Sequence, residues 1–191
     1  MTSINFADAP TIKTERLRLR AWRESDLAPY AAMGADPDVM HYFPALMSEA
    51  ESLAHVADLQ ERQRNWGYTF WAVESDDLRF AGFVGLSRPK IQADFTPCVE
   101  VGWRLARPAW GKGYATEGGR AALEFGFAEQ DLDEIVAMVS AANTPSRCVA
   151  ERLGMSHDPA NDFTFPGEER WSFADSVLYR ISREKFLAHT V

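Results

Sequence analysis

The sequence predicts a single α/β domain, a mixed and twisted β-sheet of about seven strands flanked by helices. Three observations carry this. The chain has 191 residues, the length of one domain at about 100–200 residues each. Its segments run strand, two helices, three strands, then helix, strand, helix, strand, an order that requires a mixed sheet. The 113–153 stretch reads as a strand-helix-strand-helix unit of parallel type. No linker divides the chain, so residues 1–191 form one domain with residues 1–11 as a loosely held lead-in.

The elements follow in order. Leu17, Leu19 and Ala21 alternate with Arg16, Arg18 and Arg20, the period of a half-buried strand. Ser25 and Asp26 cap a helix to about Met33, and Asp36-Pro37 opens a short helical turn ending near His41. Ser48 with Glu51 forms a capping box. The helix it starts runs to about Trp66, with Leu53, Val56, Ala57, Leu59 and Gln63 on its buried side and Gly67 as its stop. Tyr68 to Glu74, Phe80 to Leu86 and Cys98 to Leu105 are strands. A glycine-bearing turn leads into a helix ending near Gln130. Ile135 to Ser140 is a short apolar strand of a sheet centre. Thr144 caps the next helix with Pro145 at its first position, and Leu153-Gly154 closes it. Residues 155–171 read as irregular, Phe173 to Ile181 as the last strand, and the tail as a short helix.

Composition narrows the function. The net charge of −8 argues against a nucleic-acid binder, which needs a basic footprint. Two cysteines, Cys98 and Cys148, with no CxxC or paired-His spacing, exclude a disulfide scaffold and give no metal site. Neither a signal peptide nor an apolar run long enough for a bilayer is present, so the expectation is a cytoplasmic protein with no membrane partner.

The feature that carries chemistry is Trp110-Gly111-Lys112-Gly113-Tyr114-Ala115, between a strand and a helix. Backbone N–H groups with little side-chain cover at a helix start make an anion site, usually for phosphate. From Glu100 to Arg120 four bases face two acids, a net +2 in an acidic chain. The same glycines would also serve a plain tight turn. Ala115, Gly118, Gly119 and Ala122 give the helix a small-residue face that suits close approach to a sheet or ligand. A Walker loop is excluded, because the first glycine position is Ala106 and Lys112 precedes Gly113. A dinucleotide fingerprint fails at Thr116 and lacks its acid after the next strand.

Arg107-x-x-Trp-Gly-Lys-Gly-Tyr-Ala-Thr-Glu, then Ala141-x-Asn143-x-x-Ser146 and Glu151-Arg-Leu-Gly-Met155, resembles the GCN5-related N-acetyltransferases (GNAT). The resemblance is nearest to the branch that acetylates ribosomal-protein N-termini, the RimJ/RimL-like proteins. Thr14-Glu-Arg-Leu-Arg-Leu-Arg20 is similar to that branch's first strand and Val177-Leu-Tyr-Arg-Ile181 to its last, so the likeness covers roughly residues 12–182. It implies acetyl-CoA as acyl donor, with no metal. The pyrophosphate would lie on Gly111, Lys112, Gly113, Tyr114, Ala115 and Thr116, next to Trp110, where the common family pattern has Gln or Arg. The pantetheine arm would pair with the backbone of Trp103, Arg104 and Leu105 and bond the Asn143 side chain.

The reaction implied moves an acetyl group from a thioester to a primary amine. An ammonium has no lone pair, so a base must take its proton. Glu100, in Glu100-Val-Gly102-Trp103, matches the branch and points away from Val99 and Val101. A carboxylate on a sheet face beside a pocket would have a raised pKa. Ser146 is the candidate acid for the leaving thiolate. Many relatives use a tyrosine near this helix, where Ala150 stands here. His41 and Tyr42, in the loop between the first helices, would face the acceptor, whereas His55, His157 and His189 read as surface residues.

The acceptor reading leans to a protein N-terminal α-amine, through the resemblance alone. A polyamine, amino acid or antibiotic is the alternative, and so is a non-catalytic acyl-CoA-binding or peptide-binding module on the same fold. A serine hydrolase is disfavoured, because Gly85-Leu-Ser87-Arg-Pro89 lacks the last glycine of a nucleophile elbow. Self-association as a homodimer would use residues 156–171.

Overall fold

In the computed structural model, residues 4–167 and 171–188 are described. The strands are β1 (Ile12–Lys13), β2 (Leu17–Arg20), β3 (Phe70–Ser75), β4 (Gly82–Ser87), β5 (Glu100–Leu105), β6 (Glu134–Ser140), β7 (Ser156–His157), β8 (Phe163–Thr164) and β9 (Asp175–Ser182). The helices are α1 (Leu27–Gly34), α2 (Glu49–Trp66), α3 (Tyr114–Ala128), α4 (Thr144–Arg152) and α5 (Arg183–Ala188). One nine-stranded sheet runs β1-β2-β3-β4-β5-β6-β9-β7, with β8 also on β9. It is mixed as expected, but only β5 and β6 pair in parallel, across the α3 crossover. Three strands add to the six named from the sequence: β1, which pairs with β2, and β7 and β8 within 155–171, which form by pairing with β9.

The sheet is covered on both faces. Toward α1 and α2 lie Trp22, Tyr30, Val56, Leu59, Ala72 and Phe83. Toward α3 and α4 lie Trp71, Leu86, Val101, Leu123, Ile135 and Tyr179. Adjacent residues of β3 divide between the two cores, Trp71 to one and Ala72 to the other, as strand alternation requires. The small-residue face of α3 is used for packing. A Cβ on Gly118 would touch Val84 of β4 at 3.3 Å, and one on Gly126 would reach Ile135 at 2.7 Å.

Local chemistry shapes the helices, with four corrections. Ser48 accepts from the Glu51 N–H and Glu51 returns the bond, so the capping box forms, and Gly67 ends α2 at φ 76°. Asp26 does not cap α1 by its side chain. Its carboxylate takes two bonds from Arg20, at 2.7 and 2.9 Å, and the chain makes a 3-10 turn over Glu24–Asp26 first. Asn143, not Thr144, caps α4, and Pro145 falls second in the helix. The buried stripe of α2 is Ser52, Val56, Leu59, Gln60 and Gln63, rotated away from the expected Leu53 and Ala57. Residues 37–42 form turns, with Met40 N–H on Asp36 O at 3.0 Å, rather than helix. The segment ahead of β1 is held by α2, through Ala7 N–H on Gln60 and Arg64 on Asn5 O, each at 2.9 Å.

Candidate active site

β5 and β6 touch at one register position, Glu100 opposite Val136, with Val136 N–H donating to Val99 O at 2.9 Å. Beyond it the strands separate. A cavity of about 440 Å³ fills the gap. Consecutive residues of both strands line it, Glu100 to Arg104 and Ala137 to Ser140. Consecutive strand residues face opposite sides of a sheet, so the cavity passes through it. One mouth lies on the α1/α2 face and the other on the α3/α4 face.

The register decides which backbone groups face the gap. Ala106 N–H donates to Ala81 O, and Arg104 pairs with Phe83 two residues back along the same ladder. Arg104, Gly102 and Glu100 therefore turn their backbone groups to β4. Trp103 and Leu105 turn theirs to the gap, where the Leu105 carbonyl already accepts the Trp110 indole at 2.7 Å. This corrects the expected backbone role of Arg104, which presents a side chain to the cavity instead.

Glu100 stands on the α1/α2 side of the cavity, away from the buried Val99 and Val101. Burial pushes its carboxyl up to about 7, only partly offset by attraction to Arg62. Arg62 is fixed by Asp58 at 2.7 Å and by the Ser87 hydroxyl at 2.5 Å. Ser87 is fully buried and held by that guanidinium, which removes the hydrolase reading.

At the other mouth, the Trp103 indole donates to Ser146 Oγ at 3.4 Å across the gap. The Ser146 N–H donates to Asn143 Oδ1 at 3.2 Å. Asn143 and Ser146 both line the cavity. The glycine turn follows β5 on this side of the sheet. Gly111 and Gly113 take φ values of 73° and 79°, which favour glycine. Among the described residues, the N–H groups from Gly111 to Thr116 meet no acceptor. Six such donors at the start of α3 fit a pyrophosphate. The basic patch is less free than its count suggests, because Arg107 pairs with Asp38 and Lys112 with Asp77 at 3.7 Å.

Around the α1/α2 mouth, Tyr42 lines the cavity as expected. His41 does not line it. It is exposed and packs on Tyr42 and Phe173, with ring centroids 4.6 and 5.2 Å away. His55, expected at the surface, lines the cavity, bonds the Tyr30 hydroxyl at 2.5 Å, and is pushed down to about 4 by burial and by Arg104. It is neutral at pH 7. His157 is partly buried and bonds Asp162 at 2.6 Å, and His189 lies outside the described residues. Sequence reasoning missed His55, Arg62 and the Arg104 side chain as lining groups. His55 and Arg62 are seven apart on α2, beside its buried stripe, and that spacing was the available signal.

Among the described residues, no cluster of three or more His, Cys, Asp or Glu is placed for a metal ion, and no helix is long and apolar enough to cross a membrane.

A sheet parted beside an anion-binding turn, with a carboxyl held near neutrality in the gap, is the architecture of an acetyl-CoA-dependent N-acetyltransferase. The family follows from comparison: residues 16–156 match the Acetyltransferase (GNAT) domain, and the chain belongs to that family. The uncharacterized protein YkkB of Bacillus subtilis is 32% identical over 146 residues, 75% of this chain and 84% of that protein. A GNAT-family acetyltransferase structure from Bacillus anthracis superposes with TM-score 0.76 at 26% identity, covering 92% of this chain and 99% of that one. RimL, a ribosomal L7/L12 α-N-protein acetyltransferase solved with coenzyme A, gives TM-score 0.72 at 18% identity over 91% of this chain and 98% of its own. At that identity the likeness is one of fold.

Proposed function

We propose that the protein acetylates a primary amine, the N-terminal α-amine of a protein, by direct attack on acetyl-CoA, with Glu100 as general base and Ser146 as acid. The observation that carries this is Glu100, in the through-sheet cavity with its carboxyl at about 7. A free α-amine titrates near ~8. A base of nearly matched strength, about half ionised at neutral pH, can take its proton directly or through water.

Acetyl-CoA supplies the activated acyl group. The chain's own groups do the rest. The N–H groups of 111–116 are free to hold the pyrophosphate, and the Trp103 backbone edge to hold the pantetheine arm. The Trp103 N–H faces the gap, where it can stabilise negative charge on the acyl oxygen. The Ser146 hydroxyl accepts from Trp103, which leaves its own proton available for the departing thiolate. Burial and the nearby Glu100 push the Cys98 thiol up to about 11, so it is a poor nucleophile and supports direct attack over an acyl-cysteine route. The ribosomal-branch resemblance supports the protein N-terminus as acceptor.

Thermal melts with acetyl-CoA, beside NADPH and ATP, followed by acceptor-dependent CoA release over peptides and small amines, test this reading. At 100 times its dissociation constant the true donor adds about 2.7 kcal/mol. No shift with acetyl-CoA, or a larger one with another nucleotide, would overturn it.

A further inference from the structure

Arg104 is a partly buried cation of the cavity with no carboxylate partner among the described residues. Its guanidinium lines the cavity on the α1/α2 face, the same face as Glu100. Its Nη1 contacts the Met47 sulfur at 3.4 Å, and its carbon lies 3.9 Å from the Phe43 ring centroid and 5.4 Å from that of Phe83. The Nε is buried and bonds nothing. Among the described residues no carboxylate pairs with this side chain, whereas Arg20, Arg62 and Arg183 each have one. Nearby polar groups do not compensate. Tyr30 and His55 are bonded to each other and His55 is neutral.

Removing a guanidinium from water is costly unless it is paired and hydrogen-bonded. A planar fork of donors facing a cavity answers that cost when a carboxylate enters, by two parallel charge-assisted bonds. The same charge repels a polycation. The strand fixes the spacing. Glu100 and Arg104 are four residues apart on one face of β5, about 13 Å between Cα atoms. Gly102 stands between them without a side chain, under the Phe70 ring. An acceptor with its amine at Glu100 therefore reaches Arg104 with a group several bonds away.

We infer that Arg104 is a specificity residue that selects acceptors carrying a carboxylate on the same molecule as the amine. The inference rests on the proposed acceptor role of this cavity. The carboxylate belongs either to an acidic residue at a protein N-terminus or to a free amino acid.

The test is calorimetric binding to the CoA-loaded protein. One probe pair is an amidated tripeptide beginning with glutamate against the same peptide beginning with glutamine. The other is free glutamate against glutamine amide. The acidic member of at least one pair binds tenfold tighter or more, and the pair that shows it names the source. In Arg104→Gln the preference falls below twofold, and in Arg104→Lys it is intermediate, because charge remains and the fork is lost. Binding within twofold for both pairs in the wild type, no binding of either acidic probe, or a preference that survives Arg104→Gln overturns the inference. The wild-type comparison decides even if a variant fails to fold. CoA release is followed in parallel. Turnover without acid preference sinks this inference alone. Acid preference without turnover of any acceptor sinks the catalytic reading and leaves the anion site.

Discussion

Glu100 sits opposite Val136 at the single point where β5 and β6 meet, so the proposed base stands at the root of the gap it serves. Its environment gives a prediction with a definite sign. The ordinary carboxyl value of 4.5 rises to about 7 in the fold, so below 7 Glu100 holds its proton and cannot accept another. The kcat of the wild type should climb tenfold per pH unit up to about 7 and then level. Glu100→Gln should lose about 10²–10⁴ in kcat, while still binding acetyl-CoA. Because the folded pKa is the higher one, ionisation costs wild-type stability between pH 4.5 and 7, and the variant should escape that loss in melts across the window. A variant with unchanged turnover would remove Glu100 as the base.

Ser146 offers a narrower experiment. Its backbone N–H completes the α4 cap and its hydroxyl receives the Trp103 indole. Ser146→Ala keeps the cap and removes only the hydroxyl. If that hydroxyl protonates the thiolate, kcat should fall at least tenfold with little change in the KM for acetyl-CoA. A kcat within twofold of wild type would assign the proton to water.

The turn separates geometry from ligand binding. At φ 79°, Gly113→Ala should cost about 1–2 kcal/mol, since an L side chain resists left-handed backbone. For a chain of this length that lowers Tm by roughly 3–6 °C. If the N–H groups cradle phosphates, the Kd for acetyl-CoA should also weaken several-fold. Lost stability with unchanged affinity would make the turn a bend and nothing more.

Asp26 is a control remote from the chemistry. Side-chain exposure of Arg20 and Asp26 is 5% and 2%, and once the aspartate is gone Arg20 keeps one carboxylate, Glu74, beside the Ala21 and Arg79 carbonyls. Asp26→Ala should cost about 3–5 kcal/mol, because a buried charge loses its nearest partner. The double variant Arg20→Met, Asp26→Leu should recover much of that. Denaturant unfolding of the three proteins would show it, and a double variant as weak as the single would refute the account.

The two-sided sheet and the glycine turn were readable because local rules decide them. Alternation along β2 and β5, the Ser48–Glu51 box, and paired glycines at a strand-helix joint need no knowledge of neighbours. What escaped the sequence depends on tertiary partners. Asp26 is a sound cap by type, yet the buried Arg20 claims it. Ser52 looks like a surface residue, yet it packs against Gly34, where an added Cβ would lie 3.1 Å from its hydroxyl, and this turns α2. β7 and β8, two residues each, exist only through β9. In the site, the facing of Glu100 was legible from strand parity, whereas its candidacy as the base came from the family resemblance. The role of Arg104 was not, because an absent counter-ion is a property of the packed cavity rather than of any motif.

The opening through the sheet has a kinetic consequence. A chamber with one mouth toward α3 and α4 and another toward α1 and α2 can hold both reactants together, and neither blocks the other's path. Catalysis should then pass through a ternary complex. Initial-rate lines at several fixed acceptor concentrations should converge in a double-reciprocal plot rather than run parallel, and each product should leave by the door its parent entered.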